Sequence, residues 1–177
     1  MSADNFTDMF RRAFSVVLAV GALVASAASA SPLVDLVEKT SPSVVAVGTF
    51  DPLKSPRFTF RGTGFVVADG NQVVTNAHVM PPLGELTSSE RLAVLVPRAG
   101  STPDLRMARK RADDPAHDLA LIDIEGQPLP AVTLADGVRP KAGMSVALIG
   151  FPLGTSLGFT QVTHRGIVSA VTVIALP

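Results

Sequence analysis

Apolar and polar positions divide this chain into short runs separated by turn residues. The sharpest pattern lies in Gly62–Val79, GTGFVVADGNQVVTNAHV. Phe65, Val66 and Val67 form one apolar run, and Val73, Val74 and Thr75 form a second. Between them Asp69-Gly70-Asn71 tolerates positive φ, which predicts a hairpin. The second run leads into Thr75-Asn76-Ala77-His78-Val79. His78 is thereby delivered where a strand gives out, a place from which a ring can face a cleft.

The same reading extends in both directions. Leu33, Leu36 and Val37 stand at i, i+3, i+4 within Pro32–Lys39 and predict a short amphipathic helix, stopped by Ser41-Pro42. Val44–Phe50 reads as a strand. Arg57–Arg61 alternates basic and aromatic residues as a half-exposed strand does. Met80–Glu90, with Pro81, Pro82, Gly84, Ser88 and Ser89, is a polar loop whose length suits the rim of a cleft. Leu92–Val96 and Leu105–Ala112 are two further strands, the latter with Arg106, Arg109, Lys110 and Arg111 exposed. Asp113 and Asp114 follow at once, so a solvated edge strand is favoured over a phosphate-binding patch. Asp114-Pro115-Ala116-His117-Asp118 is a turn ending at an acid, and the apolar strand Leu119–Ile124 begins directly after it. Gly126–Gly143, with three Gly and three Pro, reads as a linker, and Met144–Phe151 and Phe159–Leu176 are the strand material beyond it.

Residues 1–30 carry a different pattern. Arg11-Arg12 precede the apolar run Ala13–Ala25, and small residues then end in Ala28-Ser29-Ala30. This predicts a secretory signal peptide cleaved after Ala30, because the apolar run is short for a bilayer span and an A-x-A site follows. An uncleaved anchor is the alternative, Met9 is an alternative start, and Arg11-Arg12-Ala13-Phe14 loosely matches a twin-arginine signal. The mature product is expected to be periplasmic or secreted, with no membrane association after cleavage.

Composition narrows the possibilities. The 177 residues suffice for one ordinary domain or two small barrels. Fifteen basic and fifteen acidic residues balance, which gives no electrostatic case for nucleic acid or an anionic membrane. Cysteine is absent, removing disulfides, thiolate nucleophiles and thiolate metal sites. Tyr and Trp are also absent, while Gly and Pro number 14 each, a mixture that suits many short strands better than a helical bundle.

Candidate chemistry centres on His78 and Asp118. A carboxylate at the entrance of a buried strand requires a partner, and an imidazole supplies one: Asp118 accepting the Nδ1 proton of His78 would fix the tautomer and stabilise an imidazolium. Taken singly, each has a plainer reading, a structural histidine and a turn acid. His78, His117 and His164 are the only histidines, and none pairs at a metal-ligand spacing. His117, next to Asp118, is expected to face the opposite side and be solvated. His164 is expected in an exposed break, Thr163-His164-Arg165. Gly62-x-Gly64 lacks the third glycine and the helix of a dinucleotide site. Neither a metal nor a cofactor is implied.

Taken in order, Gly62-Thr63-Gly64-Phe65-Val66-Val67, Val74-Thr75-Asn76-Ala77-His78-Val79 and Asp118-Leu119-Ala120-Leu121-Ile122 resemble the first half of a trypsin-like serine protease of the bacterial HtrA-like (Deg) branch. Leu33–Val47 resembles that branch's leading helix and first strand, and Ala147–Gly154 and Gly166–Ala170 resemble the opening of its second barrel. The resemblance implies an all-β double barrel with a short N-terminal helix. The first barrel (31–125) would be complete, the linker would run over 126–143, and 144–177 would form part of the second barrel. It implies His78 as general base and Asp118 as its orienting acid, acting on unfolded or extended polypeptides, with a homo-oligomer as the common assembly. The family's serine lies in a Gly-x-Ser-Gly-Gly context, whose N–H groups also build the oxyanion hole. These 177 residues hold no such stretch. Ser145 and Ser169 fall in apolar strand-like runs and Ser156 in the loop Gly154–Gly158. The chain is therefore expected to be truncated and inactive, with unpaired strand edges and an aggregation-prone segment at Val171–Leu176. A non-catalytic peptide-binding module is the rival reading. A structural envelope protein is a third, with only the signal peptide in its favour.

Overall fold

In the computed structural model, residues 31–82, 84–98, 100–154 and 159–172 are described. Residues 1–30, where a signal peptide is expected, Ser156 and most of Val171–Leu176 lie outside them. Among the described residues, no helix is long and apolar enough to cross a membrane. The chain divides into two units, Met1–Val34 and Asp35–Pro177. The first helix, α1 (Pro32–Thr40), opens with Val34 N–H donating to Ser31 O at 2.7 Å. A 3-10 turn, Ser41–Ser43, follows it, with Pro42 supplying a fixed φ where no helical N–H is needed. Leu33 and Val37 are half-buried, four residues apart, as the pattern predicts; Leu36 is exposed instead.

Eight strands follow: β1 (Val44–Phe50), β2 (Phe58–Val67), β3 (Gln72–Thr75), β4 (Arg91–Val96), β5 (Asp104–Asp114), β6 (Leu119–Ile124), β7 (Ser145–Gly150) and β8 (Val162–Ile167). The first six close into a barrel in the order β1-β2-β3-β6-β5-β4, and β7 and β8 pair as a separate two-stranded sheet. The expected architecture, a complete first barrel with part of a second, is what the chain forms.

Alternation explains the interior. Val45, Val47, Val66, Val73, Val94 and Ile122 point inward and are wholly buried. β1 shows no alternation in its sequence because its other face is covered too. Val44 and Ala46 pack with Phe58, Ala93, Leu95 and Phe151 in a second cluster outside the barrel. Edge-on rings bring β7 and its flanking turn onto that layer: Phe58 and Phe159 lie 5.5 Å apart between centroids, and Phe60 and Phe151 6.4 Å.

Five sequence expectations are corrected. The two pieces Arg57–Arg61 and Phe65–Val67 are one ten-residue strand, bent where Val47 pairs with Gly62 and Gly48 with Phe60, which leaves Arg61 as an extra residue. β5 is not an edge strand: it pairs with β4 on one side and β6 on the other. Barrel closure brings Asp123 of β6 against Arg109 and Arg111, while Arg106 pairs with Asp104 on its own strand and donates to the carbonyls of Glu125 and Gln127 beyond β6. The Arg106 side chain is accordingly about nine-tenths buried rather than exposed. His164 sits within β8 opposite Leu148, exposed but inside the strand, whereas Ser169 follows that strand instead of belonging to it.

Candidate active site

The geometry at His78 is set by how β3 ends. β3 pairs with β6 in the register Thr75↔Ala120, so the residues after Thr75 meet those before Leu119. Thr75 is buried and its hydroxyl donates to Thr63 O at 2.9 Å, fixing the strand end. Beyond it the chain turns through a 3-10 segment, Ala77–Val79, so His78 stands on a tight turn and not on the strand itself. Val79 is buried in the barrel core and its carbonyl accepts from Arg61 Nε at 2.8 Å. Gly62 makes this seating possible, since a Cβ there would lie 2.5 Å from Val79 Cγ2. Likewise a Cβ at Gly64 would lie 2.6 Å from Val73 Cγ1, so the paired glycines serve close packing.

Asp118 arrives from the other side. Pro115–His117 forms a 3-10 turn, and Asp118 ends it in the left-handed conformation, φ 53° and ψ 44°. Asp tolerates that region better than most residues. The consequence is that both its carbonyl and its carboxylate address the turn bearing His78. Asp118 O accepts from Ala77 N–H at 3.1 Å and from Asn76 Nδ2 at 3.1 Å. Asp118 Oδ1 accepts from His78 N–H at 2.9 Å, and Oδ2 from Asn76 Nδ2 at 3.1 Å. His78 Nδ1 lies 2.7 Å from Oδ2.

Electrostatics assigns the protons. The His78 amide, then its ring, hold the Asp118 carboxyl below the ordinary 3.8, against the opposing effect of desolvation. The carboxylate is ionised at neutral pH and can only accept, so the proton between the two groups sits on Nδ1, and in the neutral imidazole Nε2 is then the acceptor. His78 is 71% and Asp118 45% exposed at the side chain. An ion pair so open contributes little to stability. What it supplies is orientation.

Sequence reasoning singled out His78, Asp118 and His117. The first two are brought together. His117 is solvated, but as part of the 3-10 turn rather than a strand, and its Nδ1 lies 2.7 Å from Asp114 Oδ2. Asn76 was missed as an individual residue; an amide two positions before a candidate base was the available signal. A groove of about 410 Å³ opens next to the pair, lined by Phe65, Asn76 and Leu119 on one side and Leu148, Phe151 and Pro152 on the other. Among the described residues the His78 ring hydrogen-bonds to Asp118 and to no serine.

Comparison with known proteins gives the family. The trypsin-like peptidase domain model matches residues 62–175. A probable periplasmic serine endoprotease, DegP-like, of Pseudomonas putida is 29% identical over 89% of this chain and 38% of its own length. Serine protease HTRA1B of Danio rerio is 31% identical over 76% of the chain and 28% of its own. The chain thus spans well under half of these relatives. Among solved structures, the serine endoprotease from Yersinia pestis superposes with a TM-score of 0.59 at 26% identity, covering 79% of this chain and 45% of that one. Deg5 superposes with a TM-score of 0.58 at 32% identity, covering 78% and 62%. A barrel that sets a histidine turn against an aspartate across β3 and β6, matched along its length by these proteins, belongs to the trypsin-like serine peptidase family, in its HtrA/DegP branch.

Proposed function

We propose that residues 31–177 form the base-and-acid half of an envelope serine endopeptidase that acts on unfolded or extended polypeptides. His78 Nε2 removes the proton of an attacking serine and later returns it to the leaving amine. Asp118 holds the imidazole in the Nδ1–H tautomer and stabilises the imidazolium formed between these steps. The single observation that carries this reading is the pair itself: a 2.7 Å contact between His78 Nδ1 and the Asp118 carboxylate.

The chemistry requires a serine and oxyanion donors, and residues 31–177 hold no serine in the family's Gly-x-Ser-Gly-Gly context, so this span alone is inactive toward peptide bonds. In this reading residues 31–125 form the first barrel, 126–143 the linker and 144–177 part of the second. The short apolar run ending in Ala28-Ser29-Ala30 and the periplasmic naming of relatives support an envelope location; assembly as a homo-oligomer follows the branch. A second reading, a non-catalytic peptide-binding module, is favoured by the same lack of a Gly-x-Ser-Gly-Gly stretch. One experiment separates them. Casein hydrolysis is measured with the natural gene product and with its His78→Ala variant. The proposal expects hydrolysis that the substitution abolishes. Equal turnover in both sinks the base assignment, and no turnover in either favours the binding module.

A further inference from the structure

Asn76 occupies the residue that begins the His78 turn, where an Asn side chain normally caps its own turn by accepting one of the first free N–H groups. Here it makes no such cap. The N–H it would have taken, that of His78, donates instead to Asp118 Oδ1 at 2.9 Å. The freed amide turns outward and donates at 3.1 Å both to Asp118 O and to Asp118 Oδ2, the oxygen that faces His78 Nδ1. With two acceptors opposite, only the NH2 end of the amide can make these contacts. Cap and carboxylate have exchanged roles. Asp118 caps the histidine's turn, and Asn76 holds Asp118.

We propose that Asn76 is a positioning residue for the His78–Asp118 pair: its amide clamps Oδ2 and the carbonyl of Asp118 so that the carboxylate keeps one rotamer and His78 one tautomer. This rests on the base-and-acid reading above. The need for a clamp follows from exposure. A pair 71% and 45% open to solvent is not confined by packing, and a carboxylate has a second oxygen and other rotamers available. Two bonds from one planar amide to the side chain and main chain of the same residue remove that freedom. The main-chain bonds alone leave Oδ2 free, because Ala77 N–H holds only the carbonyl and His78 N–H only Oδ1.

The test compares Asn76→Ala and Asn76→Ser in the natural gene product, with three readouts: denaturant midpoint, imidazole 15N NMR of His78, and kcat and KM for peptide hydrolysis. Serine at this position can cap the turn with its hydroxyl but lacks the amide's two donors and its reach. The expected result is that Asn76→Ser unfolds near the wild-type midpoint while both variants show His78 in a mixture of tautomers. In both, kcat falls roughly ten- to hundredfold with KM little changed, as for a misplaced catalytic group. A single Nδ1–H tautomer in Asn76→Ala, or recovery of kcat by the serine variant, overturns the positioning role and leaves Asn76 a stabilising residue only. The tautomer is read whether or not the protein turns over substrate. Retained hydrolysis in His78→Ala would therefore defeat the general-base reading, and the NMR result would still decide for or against the clamp.

Discussion

His78 and Asp118 are forty residues apart in sequence, yet Asp118 accepts from the histidine twice, once from its amide at 2.9 Å and once at its ring nitrogen at 2.7 Å. The amide bond fixes where the residue sits and the ring bond fixes how the imidazole is turned. Neither alone defines a base. Both depend on the β3–β6 register, and the barrel core maintains that register.

The first prediction concerns this core. Ile122 lies on β6 opposite Val73 and is wholly buried. Ile122→Ala is expected to cost about 2–5 kcal/mol and Ile122→Val about 0.5–1.5 kcal/mol. Urea denaturation checks both values. If the alanine variant unfolds at the wild-type midpoint, the closed barrel is wrong at this strand.

The second concerns the seat of the histidine turn. Gly62→Ala drives a methyl to within 2.5 Å of Val79 Cγ2, next to His78. Overpacking of this kind costs about 1–3 kcal/mol. Adding Val79→Ala removes the obstructing methyls, and the double variant is expected to cost less than the sum of the two singles. Strict additivity would show that the two residues do not touch.

A third follows from the acids. Asp118, Asp114, Asp104 and Glu90 all titrate below their ordinary values. The leading causes are hydrogen bonds from the His78 amide, the His117 ring, Arg98 and Thr49 respectively. A depressed folded value means the unfolded chain binds the proton more readily. The stability contributed is thus fully present above the ordinary values of 3.8 and 4.5 and is lost as pH falls through the lower folded ones. Thermal midpoints are expected to hold level from pH 7 to about 5 and then fall. Asp114→Asn should shallow that fall. A midpoint that rises on acidification contradicts the sign.

Much of this fold was legible in the chain. Val73–Thr75, Leu92–Val96 and Leu119–Ile124 announce themselves as apolar runs between turn residues, and the hairpin at Gly70 is found with φ 92° there. The pairing of His78 with Asp118 was legible only through the order of several motifs. The misses share one cause: partners remote in sequence. Nothing local reveals that β5 has β6 beside it, so its run of cations reads as an edge. Nothing local marks Arg61 as a bulge, since that depends on Val47 and Gly48 across the ladder. The left-handed conformation of Asp118 is chosen by five hydrogen bonds to residues 76–78, and Asn76 shows its role only when Asp118 is in view.

The central claim is that His78 acts as a base oriented by Asp118, and the most direct measurement is kcat for peptide hydrolysis by the natural gene product carrying Asp118→Asn. An amide in place of the carboxylate can preserve the fold while it favours the wrong imidazole tautomer. The account predicts an intact denaturation profile with kcat reduced about 10⁴-fold. A variant that folds normally and turns over at the wild-type rate would contradict it.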